Sequence, residues 1–492
     1  MMITKNIINP KKLLLLFMIG TAALSGCKKF LAVNDNPNNP DTAQSSLLLP
    51  TVEAAIGQVV GNSFQVYGGI LSQYWTQSTT AGQYKSIDQY SQVNTNFDGP
   101  WSTLYHGALI NSQLIITSKE SSIQVTQGMA YILKAYAAQL TTDAFGDVPL
   151  AEALNAAQYT NPHYEAQAAV YDSIFNYIDK GMILLNSTTS INPGTQDIIF
   201  QGDISKWKEF GNTLKLRAYL RIIKADPTKA AAGITALYAT NPAFLTTDAS
   251  IIYNSVGGNE NPLYNEMVGL GRTENLVASS TAVGNFERNS DPRLYKFYDP
   301  IPGQDTITAI PQGSYLANFG KIVSLPSALV GASPLLTASA TAPVKLMSAA
   351  ESDFLQAEAV VRGLATKGDA PTLFQAGITA SFTAVGLTAG DAATYIATAP
   401  DALQGYTAAA SAEAKIRIII IQKYYAMDGF QGFEAWTEWR RTGYPDFIKP
   451  SAASIIGGGF PLRFIYPNSE AVSNLNFPGT VPLTTPVWWD KN

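Results

Sequence analysis

The chain has 492 residues, with 32 Lys and Arg against 37 Asp and Glu and a formal net charge of −5. Charged residues are only 14 %, against roughly 25 % in ordinary soluble domains, and no basic run is present, which disfavours nucleic acid as a partner. A single cysteine and two histidines, His106 and His163, exclude a disulfide framework and argue against a zinc–thiolate or multi-histidine metal centre.

The first 26 residues read as an export signal. Lys5, Lys11 and Lys12 form a basic start, and Leu13 to Ala23 an apolar run. That run is shorter than the roughly 20 residues a membrane-spanning helix needs. Small residues follow in Leu24-Ser25-Gly26-Cys27. The pattern looks like a bacterial lipoprotein signal, whose mature chain begins at a lipidated Cys27. The segment holds three lysines and no acid, so its removal takes the formal charge from −5 to −8. Residues 27–48 read as a lipidated N-terminus and extended tether, because the Asn-Pro repeats at 34–40 disfavour helix.

Helical spacing of apolar residues then predicts helices over 50–76, 101–118, 122–143, 166–186 and 203–224. Pro100 opens the second. Asp203 is placed to cap the fifth, and Asp226-Pro227 reads as its stop. Residues 240–345 change character: Gly, Pro, Asn, Ser and Thr dominate, which predicts a long loop-rich insertion able to carry function. Helices return at 348–363, 369–385 and 411–441, and the tail from 450 reads as loop. Ala- and Gly-rich helix faces allow close pairing, which suggests a tetratricopeptide-like array, although no clean repeat of about 34 residues stands out. The fold class expected is therefore all-α, with few short strands and one domain over 49–492.

Several strings carry a family resemblance in their order along the chain. They are Cys27-Lys28-Lys29-Phe30-Leu31 with its Asn-Pro repeats, Phe145-Gly146-Asp147-Val148-Pro149, and Lys206-Trp207 through Asn212-Thr213-Leu214-Lys215-Leu216-Arg217. Asp291-Pro292-Arg293-Leu294 and Ala357 to Gly363 follow, then Glu434 to Pro445 and Arg463-Phe464-Ile465-Tyr466-Pro467. Together they resemble the SusD/RagB-like outer-membrane lipoproteins. The resemblance covers nearly all of the mature chain. It implies paired helices, capture of glycan or peptide nutrients at the cell surface, and a SusC-like TonB-dependent transporter over which the protein closes as a lid. It implies an outer-membrane location through the N-terminal lipid, facing the exterior. One departure is that Lys28 and Lys29 follow the cysteine, where exported relatives often carry acids; the first acid is Asp35.

Within these strings, Asp147 reads as a turn residue. Arg440 and Arg441 beside Glu434 and Glu438 read as partly buried pairs, and Glu358 with Arg362 as an i,i+4 pair. Trp101, Trp207 and Trp436 read as core, and His106 as a packed side chain. Binding is expected on exposed aromatics beside amides, because sugars present flat C–H faces to rings and hydroxyls to polar groups. Two regions hold this mixture. Trp75, Gln77, Tyr84 and Tyr90 form one. Asn261, Tyr264, Asn265, Arg272 and Tyr315 form the other. Trp488-Trp489 reads as a C-terminal strip docking on the body. No calcium loop, phosphate-cradling loop or serine-hydrolase elbow is apparent, so neither cofactor nor metal is expected. The favoured function is non-catalytic nutrient binding. The alternatives are an adhesive or structural surface protein, or an exported glycoside hydrolase with two carboxylates.

Overall fold

The structure is a computed structural model that describes residues 44–334 and 337–492. Cys27, the signal and most of the tether lie outside the described residues. Helix α1 (Ser45–Gly61) starts inside the stretch expected as tether. Helix α2 (Ser63–Leu71) follows after a break at Asn62. The single helix expected over 50–76 is therefore two, and the chain leaves helix before Trp75. Gln73 takes a left-handed φ of 62°, and β1 (Trp75–Gln77) pairs across the fold instead. Strand pairing with a distant segment has overridden local helical spacing.

Helix α3 runs from Asp98–Ser102 through a π segment, Thr103–Leu109, into Ile110–Thr117. Next come α4 (Gln124–Phe145), α5 (Gln167–Leu184) and α6 (Ile204–Arg221). Asp203 caps α6 by accepting from the Ser205 and Lys206 amides. Asp226-Pro227, expected as a stop only, also starts α7 (Pro227–Ala239). Asp226 caps the Lys229 amide and Pro227 takes the first turn, where its missing N–H costs nothing.

Helices α4 and α5 form a tetratricopeptide-like pair. A Cβ on Gly128 would sit 3.0 Å from the Gly181 carbonyl, and one on Gly181 would sit 2.8 Å from the Gly128 carbonyl. The two backbones approach this closely only because neither residue carries a side chain.

The loop-rich segment contains short antiparallel strands: β2 (Ala249–Ile251), β3 (Leu276–Ala278), β4 (Tyr298–Asp299), β5 (Leu325–Pro326) and β6 (Val344–Met347). They pair as β1–β3, β2–β6 and β4–β5. Helices α8 (Ala349–Val361), α9 (Ala370–Ala384), α10 (Ala389–Thr398), α11 (Ala412–Met427) and α12 (Gly432–Thr442) complete the body. The helix expected over 411–441 breaks at 428–431, where Gly429 adopts φ 72°. The fold is mainly helical. Among the described residues no helix is long and apolar enough to cross a membrane.

A buried ionic network ties five helices together. Arg221 of α6 meets Glu438 of α12 at 2.6 Å and Asp143 of α4 at 3.2 Å, and also pairs with Glu434. Arg441 bridges Glu438 and Glu358 of α8 at 2.7 Å each. Lys423 of α11 reaches Glu438 at 3.1 Å, and Arg217 reaches Glu351 at 3.5 Å. Glu358 also takes Arg362 at 2.8 Å, the i,i+4 pair read from sequence. Arg440 differs. It donates to the Asp143 and Leu462 carbonyls at 2.8 and 2.9 Å, and its guanidinium lies 3.6 Å from the Trp436 ring centre.

Burial alone would raise the Glu438 carboxyl, but Arg441, Lys423 and Arg221 hold it well below its usual range. Burial likewise opposes Glu358, yet Arg441 and Arg362 hold it at about 2. Asp143 runs the other way, raised by burial despite Arg221. The depressed glutamates contribute stability above the unfolded-state value of about 4.3. That contribution is lost as pH falls through their folded values. Glu438→Gln leaves Arg441 and Lys423 undercompensated in the interior and should destabilise the protein by about 3–5 kcal/mol. Urea unfolding at pH 7 measures this, and the deficit relative to wild type should shrink toward pH 2.

Candidate functional site

The loop-rich segment folds back onto the end of α2. In the β1–β3 ladder Trp75 faces Ala278 and Gln77 faces Leu276. The Ala278 amide also donates to the Ser324 carbonyl at 2.9 Å, bringing the run into β5 alongside. The Thr79 hydroxyl donates to the Lys321 carbonyl at 2.8 Å. These bonds gather loops 78–80, 299–302 and 321–325 around one cleft of about 350 Å³, which Glu274, Val277, Ser333 and Pro334 also line. Val277, Ile301, Ile322, Val323 and Leu325 make its apolar wall, and Lys321, Glu274 and Asp299 supply charge. Burial raises the Asp299 carboxyl, and a hydrogen bond with Ser333 partly opposes that. On the same loop Leu316, Phe319 and Ile322 are largely solvent-exposed, Phe319 by 81 %. Such apolar exposure on a folded surface marks a place for contact with something else.

The residues expected to bind ligand fall into two groups. Trp75, Gln77, Tyr84, Tyr90, Asn261 and Tyr315 are interior rather than exposed. Trp75 packs on Gly69. The Gln77 side chain organises a turn, accepting from the Tyr84 amide at 2.6 Å and donating to the Ala81 carbonyl at 3.0 Å. The Tyr90 hydroxyl accepts from the Ser451 amide at 3.0 Å. Asn261 caps a short turn through the Leu263 and Tyr264 amides, and its Nδ2 donates to the Ala342 carbonyl at 2.8 Å. Tyr315 joins a small cluster with Val277, Ile310 and Val323. Aromatics and amides in a polar loop do not reveal from sequence which of them the loop uses to hold itself together.

Tyr264 and Arg272 are partly exposed and Asn265 is exposed. Tyr84 and Arg272 converge from the two predicted regions. The Tyr84 hydroxyl donates to Glu266 Oε1 at 2.8 Å, and Arg272 pairs with the same carboxylate. Glu266 was not singled out from sequence. A hollow of about 160 Å³ opens beside Tyr84 and Glu266. Beneath β1, Asp88 accepts from Thr76 Oγ1 at 2.8 Å, the Gln77 amide at 2.6 Å and Gln312 Nε2 at 2.6 Å. Burial raises this carboxyl to about 6, although all three hydrogen bonds favour its ionised form. The Lys321–Leu325 wall and Asp299 were also missed. The spacing of Leu316, Phe319 and Ile322 within a Gly- and Asn-rich loop was the available signal. Among the described residues no group of His, Cys, Asp and Glu is placed to hold a metal ion.

A family model described as starch-binding associating with outer membrane, SusD-like, matches residues 37–467, and the chain belongs to that family. The fold is shared with a chitin-binding SusD homologue from Flavobacterium johnsoniae, which is 22 % identical with a TM-score of 0.76, over 90 % of this chain and 99 % of the other. A chitin-binding protein is 25 % identical at TM-score 0.76, over 91 % of this chain and 100 % of its own. A SusD/RagB family protein from Bacteroides thetaiotaomicron is 22 % identical at TM-score 0.76, over 92 % and 100 %. No curated protein matches the chain.

Glu266 is the shared partner of Tyr84 and Arg272, so Glu266→Ala should release both side chains. The pair is partly exposed and screened, so global stability should change by less than about 1 kcal/mol. Trypsin should cut after Arg272 faster than in wild type, read by mass spectrometry alongside the melting temperature.

Proposed function

We propose that this protein is a cell-surface lipoprotein that captures oligosaccharide nutrient and delivers it to a SusC-like TonB-dependent transporter. The observation that carries the reading is family membership over residues 37–467, together with a loop-built cleft of about 350 Å³ beside an exposed apolar loop. The cleft lies in the size range of small-molecule sites. Tyr264, Asn265 and Arg272 stay open to solvent but do not line the cleft, and Trp75, Gln77, Tyr84, Tyr90, Asn261 and Tyr315 are buried within the fold. Tyr84 acts through Glu266.

In this reading the protein binds and does not turn over its ligand. The lipid on Cys27 holds it at the outer membrane, and the Asn-Pro stretch gives it reach. Tethering keeps the protein at high local concentration while it swings as a lid over the transporter. The chitin-binding relatives make chito-oligosaccharides the first ligands to test, with peptides as the competing class.

Cys27→Ser should move the protein from the membrane fraction to the soluble fraction and lower uptake. Its affinity for an oligosaccharide in solution, measured by calorimetry, should match that of the chain from residue 28 to 492, which lacks the lipid attachment point. Retention of the variant in the membrane fraction would remove the lipid anchor from the reading. Failure of the membrane-bound protein to co-purify with a TonB-dependent transporter would remove the delivery role.

A further inference from the structure

A second recess, of about 420 Å³, lies where the end of α4, the segment 164–168 and the C-terminal strip meet. Its residues are not those of the loop cleft. Three of the strings singled out in the sequence arrive here from distant positions: the turn after Phe145, the run from Arg463, and Trp488.

The wall is aromatic. Tyr164 and Tyr466 meet edge to face at 5.3 Å and 82°. Both rings are held by their hydroxyls. Tyr466 donates to the Asp147 carbonyl at 2.6 Å, and Tyr164 donates to Glu470 Oε2 at 2.8 Å. Trp488 is partly exposed and tilts against Tyr171 at 6.2 Å. Its neighbour Trp489 is buried and anchors the strip, donating from Nε1 to Asp143 Oδ1 at 2.8 Å.

The polar lining is incompletely used. Arg463 is 6 % exposed and lies 4.9 Å from the Tyr466 ring centre. Its guanidinium donates to the Phe145 carbonyl, but Nε has no partner. No carboxylate among the described residues forms an ion pair with it at 4 Å or less. Gln167 is fully buried and donates from Nε2 to the Thr142 carbonyl at 2.7 Å, while Oε1 has no partner. Asp147 is exposed at the same recess and accepts from the Gln167 amide at 2.8 Å.

We propose that this recess is a second binding site, for one or two units of a neutral sugar. Rings that are already immobilised offer contact to a C–H face with little entropy lost. A hydroxyl both donates and accepts, so it matches a lining that offers guanidinium donors beside amide and carboxylate acceptors. Buried polar groups left unpaired are costly, and hydroxyls that reach them relieve that cost. An anionic ligand would meet Asp147, and a cationic one Arg463. Two sites on one chain would grip a long polysaccharide at separated points, and the second contact would form at high effective concentration.

The test uses the mature chain with chitotetraose, cellotetraose and maltotetraose as separate probes, in calorimetry and in soaked crystals. One of them is expected to appear in the recess. Trp488→Ala should weaken that binding about tenfold, and Trp488→Phe, which keeps an aromatic face, should stay close to wild type. Thr80→Arg, which crowds the loop cleft, should leave this component unchanged, so failure of the cleft reading and failure of this one give different results. Melting temperatures of the variants separate lost binding from lost folding. An unaltered affinity in a folded Trp488→Ala protein would overturn the proposal. So would an empty recess with all three sugars, or occupancy by a tetrapeptide alone.

Discussion

The rest of the structure depends on a set of charges that sit away from water. Asp143, Glu351, Glu358, Glu434 and Glu438 face Arg217, Arg221, Lys423, Arg441 and the half-buried Arg362 across α4, α6, α8, α11 and α12. Five acids against five bases make the set neutral. Burying any one of these charges alone would be prohibitive, so each requires its partners in place. An apolar contact tolerates sliding. A guanidinium that must meet carboxylates on two or three helices does not. The network therefore fixes the relative positions of helices that are far apart in sequence.

That rigidity is what the loops use. α12 packs against α2 so closely that Gly432 and Gly68 leave no room for a Cβ. The end of α2 leads directly into β1, and β1 sets the register of β3 and the cleft walls beyond it. Tyr424 of α11 donates to the Ser72 carbonyl at 3.0 Å, and Tyr74 donates to the Tyr424 carbonyl at 2.6 Å. Tyr298 donates to Asp428 at 2.8 Å, in the break between α11 and α12. The charged scaffold and the loop face are thus joined by buried tyrosines. Loops held at both ends in this way can present a cleft without being regular structure themselves.

The aromatic residues divide by what the backbone around them needs. Phe97, Phe145, Phe433, Phe464 and Trp436 form a continuous ring cluster beneath α3 and α12. Trp75, Tyr90 and Tyr315 have been drawn into similar service in the loop segment. Among those left partly open, Tyr164, Tyr264 and Trp488 lie where polar groups also lack full internal pairing or where loops meet solvent. Exposure, and not residue type, separates scaffold from contact surface.

The sequence by itself determined most of the helices, the Asp203 cap, the Glu358–Arg362 pair and the burial of Trp207 and Trp436. Each follows from periodicity or from partners within four residues. The ordered strings also made the family legible. The sequence did not determine that Asp226-Pro227 begins a helix as well as ending one, because the same dipeptide serves both. It did not show the break at Asn62, the end of helix before Trp75, where β1 pairing prevails over local spacing, or the break at 428–431, where Tyr298 bonds Asp428. The candidate site was least legible. Glu266 meets Arg272 within 6 residues but Tyr84 only across 182 residues of chain, and the Lys321–Leu325 wall gains its meaning only beside Thr79 and Asp299. Only the tertiary structure decided which polar and aromatic side chains the loops consumed, because hydrogen bonding and burial depend on neighbours brought together through space.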